Sequence, residues 1–301
     1  MTPTSPWLRR ILLANLVLQV LIVVTGGLVR LTGSGLGCPT WPECHPGSYT
    51  PVLEDSASYH PYIEFGNRML SILVGFAALA AVVGVWRWAR HRRGLPLLAG
   101  LIIGFTVLQG VLGGITVRTG LHPTTVMAHF LISMGLVAIS TALVWRERQP
   151  DGPPRSLVPV IVQRLGWLTA LVLVAVLVLG TVVTGSGPHS GDANDPARFG
   201  FDPRTISWLH ADSVMLFIGL VLAMLVATTL VPDARRSREI WGYVMLISLA
   251  QGLIGYTQYL AGLPEFLVLV HMLGAALLTL TVTLGILTLN EHATPNPRPD
   301  A

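Results

Sequence analysis

The sequence predicts an all-α membrane protein: eight transmembrane helices arranged as two pseudo-symmetric four-helix bundles. Three observations predict it. Of the 301 residues, 52% are hydrophobic and only 11% charged, whereas a soluble domain carries about 25% charged residues. Apolar runs of about 20 residues, each able to cross a hydrocarbon core of ~30 Å, recur along the whole chain. The second half also repeats the first at a nearly constant spacing.

The first span, 11–31, follows Arg9 and Arg10. This pair does not read as a twin-arginine export signal. The run after it is long enough to span, and no small-residue cleavage site precedes its glycine-rich end. The second span, 63–86, opens as IEFGNRM, so Glu64, Asn67 and Arg68 enter an otherwise apolar run. Spans at 95–116 and 124–145 complete an N-terminal bundle over 1–145. A stretch rich in Arg and Pro, 146–164, links it to a C-terminal bundle over 165–289, with spans 165–184, 206–230, 240–260 and 265–289. The remainder, 290–301, is proline-rich and is expected to be a disordered tail.

All 19 basic residues are arginine, and the net charge is +4. Their placement points to the lipid bilayer as partner and away from nucleic acid. Fourteen fall before span one, between even-numbered spans and the next odd one, or in the tail. The positive-inside rule then puts both termini in the cytoplasm of a multi-pass cell-membrane protein. The other side has Arg30, Arg118, Arg198 and Arg204, which are either ordinary interface anchors or partners for carboxylates.

The two cysteines, Cys38 and Cys44, share the first outer loop. In an oxidising milieu a disulfide closing this loop is the default, structural or redox-active. A metal site with His45 is the alternative, though two Cys and one His make a poor zinc set.

VVTGGLVRLTGSG at the end of the first span resembles VVTGSG in the fifth, and both GSG copies read as helix terminators. LQGVLGGIT resembles AQGLIGYTQ, and MAHFLISMGLV resembles LVHMLGAALL. Gln109 and Gln251 are 142 apart, His129 and His271 are 142 apart, and Asn67 and His210 are 143 apart. Each half has an even number of spans, so the halves run in parallel and their pseudo-twofold axis lies along the membrane normal.

The repeat brings four positions to one level. His129, His210, His271 and Asn67 each lie a few residues into an even-numbered span, ~6–9 Å below its outer end at ~1.5 Å per residue. Two histidines at matched depth, His210 and His271, suit axial ligation of a haem. The alternative is a buried pair bonded to neighbouring backbone. In the first bundle the second ligand position is Asn67, and an amide is a poor iron ligand. A haem held by His129 would keep one iron face open, where dioxygen binds. Glu64 lies one turn from Asn67, and it either serves the chemistry or pairs with Arg68 at i+4. His60 lies seven residues before Asn67, ~10 Å along the axis, and ranks below it as a ligand position. Gln109 and Gln251 are expected to bond across helices. His122 is a loop residue that could bond a propionate.

On GGLVRLTGSGLGCPTWPEC, IEFGNRM, VMAHF, SWLHAD and LVLVHML, the chain resembles haem A synthases over about residues 11–289. The resemblance implies two four-helix bundles. It implies haem b on His210 and His271, with the substrate haem O in the N-terminal bundle beside His129. It implies Glu64 in catalysis and the cysteine pair Cys38 and Cys44. The implied reaction oxidises the C8 methyl of haem O to a formyl group by successive hydroxylations, giving haem A for terminal oxidase assembly. An upstream synthase would supply haem O, and an unidentified donor would supply electrons. The family pattern in span two is E-x-x-H-R; here it reads Glu64, Phe65, Gly66, Asn67, Arg68. The missing histidine leaves three expectations: a haem held by His129 alone, substitution by His60, or altered activity. Two other classes compete. A bis-histidine membrane b-type cytochrome that only carries electrons would need no chemistry at Glu64. A transporter built from parallel repeats would place its polar residues at the midplane, whereas here they cluster toward the outer face.

Overall fold

The computed structural model describes residues 5–52, 58–189, 191–192 and 197–293. Within them lie eight helices long and apolar enough to cross a membrane. They are α1 (Pro6–Leu31), α2 (His60–Ala89), α3 (Leu95–Arg118), α4 (Pro123–Glu147), α5 (Val160–Ser186), α6 (Pro203–Thr229), α7 (Arg235–Leu260) and α8 (Glu265–Leu287). A short 3₁₀ turn, Pro232–Ala234, precedes α7. The shortest helix has 23 residues, about 35 Å at ~1.5 Å per residue. Most helices start or end several residues beyond the apolar runs. Hydropathy marks only the hydrocarbon core, whereas the backbone keeps its hydrogen bonds into the headgroup region.

The packing makes two closed rings. In the first, α1 touches α2 and α4, and α3 touches α2 and α4; α5 to α8 repeat the pattern. The rings meet through α4 against α8, α1 against α8 and α4 against α5. Exchanging the halves maps the first contact onto itself and swaps the other two, as a pseudo-twofold requires. Between the rings Val23, Met134 and Ala276 form a small core. Gly27 lets Met272 and Leu269 of α8 approach α1 closely. Lipid is as apolar as leucine, so this contact depends on fit rather than water exclusion. The lipid-facing side of each helix stays apolar, as at Phe76, Val107, Leu171 and Leu253.

Between α1 and α2 the first GSG segment ends its helix in a Schellman motif. Gly33 takes φ +66°, Gly33 N–H donates to Arg30 O and Ser34 N–H to Val29 O. The second copy does not repeat this. Gly187 is extended, with φ −87° and ψ −173°, because the chain leaves α5 in a different direction.

At the arginine-rich end, Arg92 donates to the carbonyls of Arg146, Glu147 and Gln149 and pairs with Asp151 at 3.1 Å. Arg146 pairs with the same Asp151 at 3.1 Å. Arg236 of α7 stacks over Trp145 of α4, 4.3 Å from the ring centre. The link 148–159 contains strand β1 (Pro154–Ser156), antiparallel to β2 (Asn290–His292). The tail expected to be disordered from 290 therefore begins with paired residues. The exposed link offers unpaired backbone groups that residues 290–292 satisfy, a partnership with no periodic signal in the sequence. The rest of that tail, from 294, lies outside the described residues.

Candidate functional site

The repeat-related residues occupy equivalent helical positions. His129 and His271 are the seventh residues of α4 and α8, and Asn67 and His210 the eighth of α2 and α6. All four are thus ~10 Å from the helix start. Among the described residues α2 makes no close backbone approach to α4, nor α6 to α8. Each pair sits on diagonal helices, with the width of the bundle between them.

What faces each ring is consistent. A Cβ on Gly113 of α3 would lie 3.8 Å from Cε1 of His129. A Cβ on Gly255 of α7 would lie 3.5 Å from Cε1 of His271, and one on Gly180 of α5 only 3.2 Å from Cε1 of His210. Each imidazole rests on a glycine of the preceding helix. The Nδ1 atoms of all three are buried without a hydrogen-bond partner. Gln109 bridges to the helix carrying His129, donating to the His129 carbonyl at 2.9 Å and to Ser133 Oγ at 2.6 Å. The expectation that it bonds across helices holds. Gln251 packs against Gly274, one turn beyond His271.

Asn67 differs. Thr25 Oγ1 of α1 donates to its Oδ1 at 2.8 Å. The same hydroxyl lies 3.3 Å from each of the carbonyls of Leu21 and Ile22, so Asn67 is its best acceptor. Beside the pair a crevice of about 210 Å³ opens between α1 and α2, lined also by Tyr62, Gly66 and Leu70.

Above this level sits the loop with the cysteines. Cys38 and Cys44 form a disulfide, and both are buried. His45 joins no metal set; among the described residues no three His, Cys, Asp or Glu side chains converge. The loop clasps Glu64. Its Oε2 accepts from Cys38 N–H at 2.6 Å, and its Oε1 accepts from Arg68 at 2.5 and 3.1 Å. Arg68 donates its remaining hydrogens to the carbonyls of Cys38, Thr40 and Glu43. Both expectations for Glu64 meet here: it pairs with Arg68 and stays one turn from Asn67. Trp41, in the same loop, lies on Gly114 of α3. The loop thus spans the mouth of the first bundle from α2 to α3. Replacing both cysteines by serine should cost about 2 kcal/mol from the loop-closure entropy alone. The measurement is the rate of proteolytic cutting within 38–48, which should rise while the bundles stay intact.

His60 opens α2, and its Nδ1 bonds Ser34 Oγ at 2.9 Å. His122 caps α4, accepting from Thr124 N–H at 3.4 Å. Arg30, near the end of α1, donates to the carbonyls of Thr184 in α5 and His189 in the second outer loop, at 3.0 and 2.5 Å. Arg118 donates to the Trp41 carbonyl at 3.3 Å. Asp202 caps α6, the helix of His210. Its side chain accepts from the Thr205 hydroxyl and N–H, which hold the carboxyl below its usual range.

The facing glycines and the Thr25 partner were not singled out in the sequence. Gly113 and Gly255 stand within the repeated LQGVLGG and AQGLIGY, again 142 apart, and that spacing was the available signal. Thr25 and Asn67 meet across two helices with no such signal.

Comparison with known proteins supplies the deciding observation. The pattern of the COX15-CtaA family, cytochrome oxidase assembly proteins, matches residues 9–190, more than half of the chain. The chain belongs to the COX15-CtaA family. A haem A synthase of Halalkalibacterium halodurans is 25% identical over 288 residues, covering 91% of this chain and 94% of that protein. Those of Bacillus licheniformis and Bacillus cereus strain AH187 are 34% and 35% identical over 131 and 137 residues, 42% and 44% of this chain and 42% and 43% of theirs. The COX15-CtaA match ends before α6, so it covers Glu64, Asn67 and His129 but not His210 or His271. The Halalkalibacterium relative extends the likeness over both bundles.

Proposed function

We propose that this protein is a haem A synthase that oxidises the C8 methyl of haem O to a formyl group, through two hydroxylations and loss of water. The names of its relatives and the site geometry support this together. The observation that carries it is the set of three histidines at one level, each on a glycine, with orphaned Nδ1 atoms. Two imidazoles suffice as axial ligands once a porphyrin supplies four nitrogens. The same two would be an incomplete set for a bare ion.

In this reading His210 and His271 would hold haem b, with the glycines leaving room for the imidazoles. His129 would hold the substrate haem O. The iron supplies the oxidising chemistry when bound. The chain's own residues position and shield it. Glu64 presents a carboxylate whose orientation is fixed by Cys38 N–H and Arg68, and it takes or returns a proton at its Oε atoms near the methyl. Trp41 and the disulfide loop keep bulk water from the mouth of the bundle. An upstream enzyme must deliver haem O, and an external donor must supply electrons. By the distribution of arginines, both termini lie in the cytoplasm and the haem sites toward the outer face.

The test is to purify the protein from cells supplied with haem O, extract its porphyrins and separate them. Haem B together with haem O or haem A is expected, with haem A accumulating when a reductant and dioxygen are given. Haem B alone under those conditions would return the protein to the class of pure electron carriers. No haem at all would overturn both readings.

A further inference from the structure

Three of the four repeat-related positions follow one rule and the fourth breaks it in both partners at once. His129, His210 and His271 each face a glycine on the helix before. Asn67 faces Thr25, which holds it at 2.8 Å. The second bundle shows why the glycine matters. A single added carbon at Gly180 would already stand 3.2 Å from the His210 ring, and a threonine adds two more heavy atoms. A histidine at 67 against Thr25 would be crowded; an asparagine there gains a hydrogen bond.

The VVTG motif aligns Thr25 with Thr184, but by depth Thr25 matches Gly180, each six residues before the end of its helix, as Asn67 matches His210. We propose that Thr25 and Asn67 stand where the second bundle has a glycine–histidine pair. They keep one axial side of the porphyrin in the first bundle free of protein ligand and face that side with the amide N–H of Asn67. This rests on the reading that the first bundle holds a haem through His129. With Oδ1 committed to Thr25, the Nδ2 hydrogens have no partner among the described residues. An amide turned this way donates to a small axial ligand carrying an acceptor atom. Thr25 is then a positioning residue, and the crevice between α1 and α2 lets a diatomic molecule reach the pair. His60 does not supply the missing ligand, because it starts α2 two turns away and bonds Ser34.

The experiment uses purified, haem-loaded protein and carbon monoxide as probe. Reduced wild type should bind one carbon monoxide per chain, and His129→Ala should lose both that binding and one haem. Asn67→His alone should still bind it, because Thr25 crowds the ring. The double variant Thr25→Gly with Asn67→His should lose binding and gain a second six-coordinate, low-spin haem signal. Asn67→Leu should move the bound C–O stretch to higher frequency, and Thr25→Val should shift or broaden it. These infrared shifts do not depend on how well the double variant folds. If His129→Ala leaves haem content unchanged, the functional reading falls and the pair with it. If haem is lost with His129 but wild type binds no carbon monoxide, only the proposal falls. It falls equally if Asn67→His alone blocks binding, or if Asn67→Leu leaves the stretch unmoved.

Discussion

His271→Ala and His210→Ala are each expected to remove haem b and abolish haem A formation, with the helical fold retained. Both rings stand at one level on diagonal helices. Their Nδ1 atoms have no bond to lose, and among the described residues the backbone of Val176 beside the His210 ring is the one hydrogen-bond partner that a variant gives up. What the variants lose besides is one of two axial bonds. Retention should fall more than about tenfold, each factor of ten being about 1.4 kcal/mol. The haem-to-chain ratio and loss of the low-spin signal measure it. Gly180→Val and Gly255→Val make a sharper check, because they keep both imidazoles. Side chains at these positions would enter the space of the rings, at 3.2 and 3.5 Å from the first carbon onward. They should lower haem content comparably. If they leave it intact while the alanine variants do not, the rings turn away from the glycines when loaded, and the level seen here is not the binding geometry.

The sequence carried the fold in large part because a bilayer enforces it. Every spanning segment must be long, apolar and internally hydrogen-bonded, so eight runs became eight helices. The repeat carried the candidate site: fixed offsets put His129, His210, His271 and Asn67 at equivalent helical positions. Contacts between a span and a loop were not legible. Arg30, a candidate carboxylate partner in the sequence, also donates to the carbonyls of Thr184 and His189. Glu64 and Arg68 were readable as an i,i+4 pair. That Cys38 N–H completes the carboxylate depends on how the loop folds back over α2. The pairing of residues 154–156 with 290–292 joins segments more than 130 residues apart through backbone alone, which leaves no trace in residue type.

Glu64→Gln should leave both haems in place and lower haem A formation by about 10²–10⁴-fold, the range for losing a positioned acid–base group. The argument turns on what the amide can replace. Its oxygen can still accept from Cys38 N–H. Its NH₂ must then face Arg68, where a donor meets donors. Removing one partner of a fully buried ion pair costs about 3–5 kcal/mol. Arg68 keeps the carbonyls of Cys38, Thr40 and Glu43 and is partly exposed, so the loss here should fall below that range. Stability therefore changes modestly while proton transfer stops. Arg68→Lys separates the two functions. Lysine keeps the charge but cannot fork across three carbonyls and a carboxylate. It should loosen the loop and misplace Glu64 with the acid still present, giving a partial loss of rate and faster proteolysis within 38–48. Glu64→Gln should do the reverse, with nearly normal proteolysis and almost no turnover. Turnover within twofold of wild type in Glu64→Gln would reduce Glu64 to a strut for the disulfide loop, and the proton would have to be handled elsewhere in the first bundle.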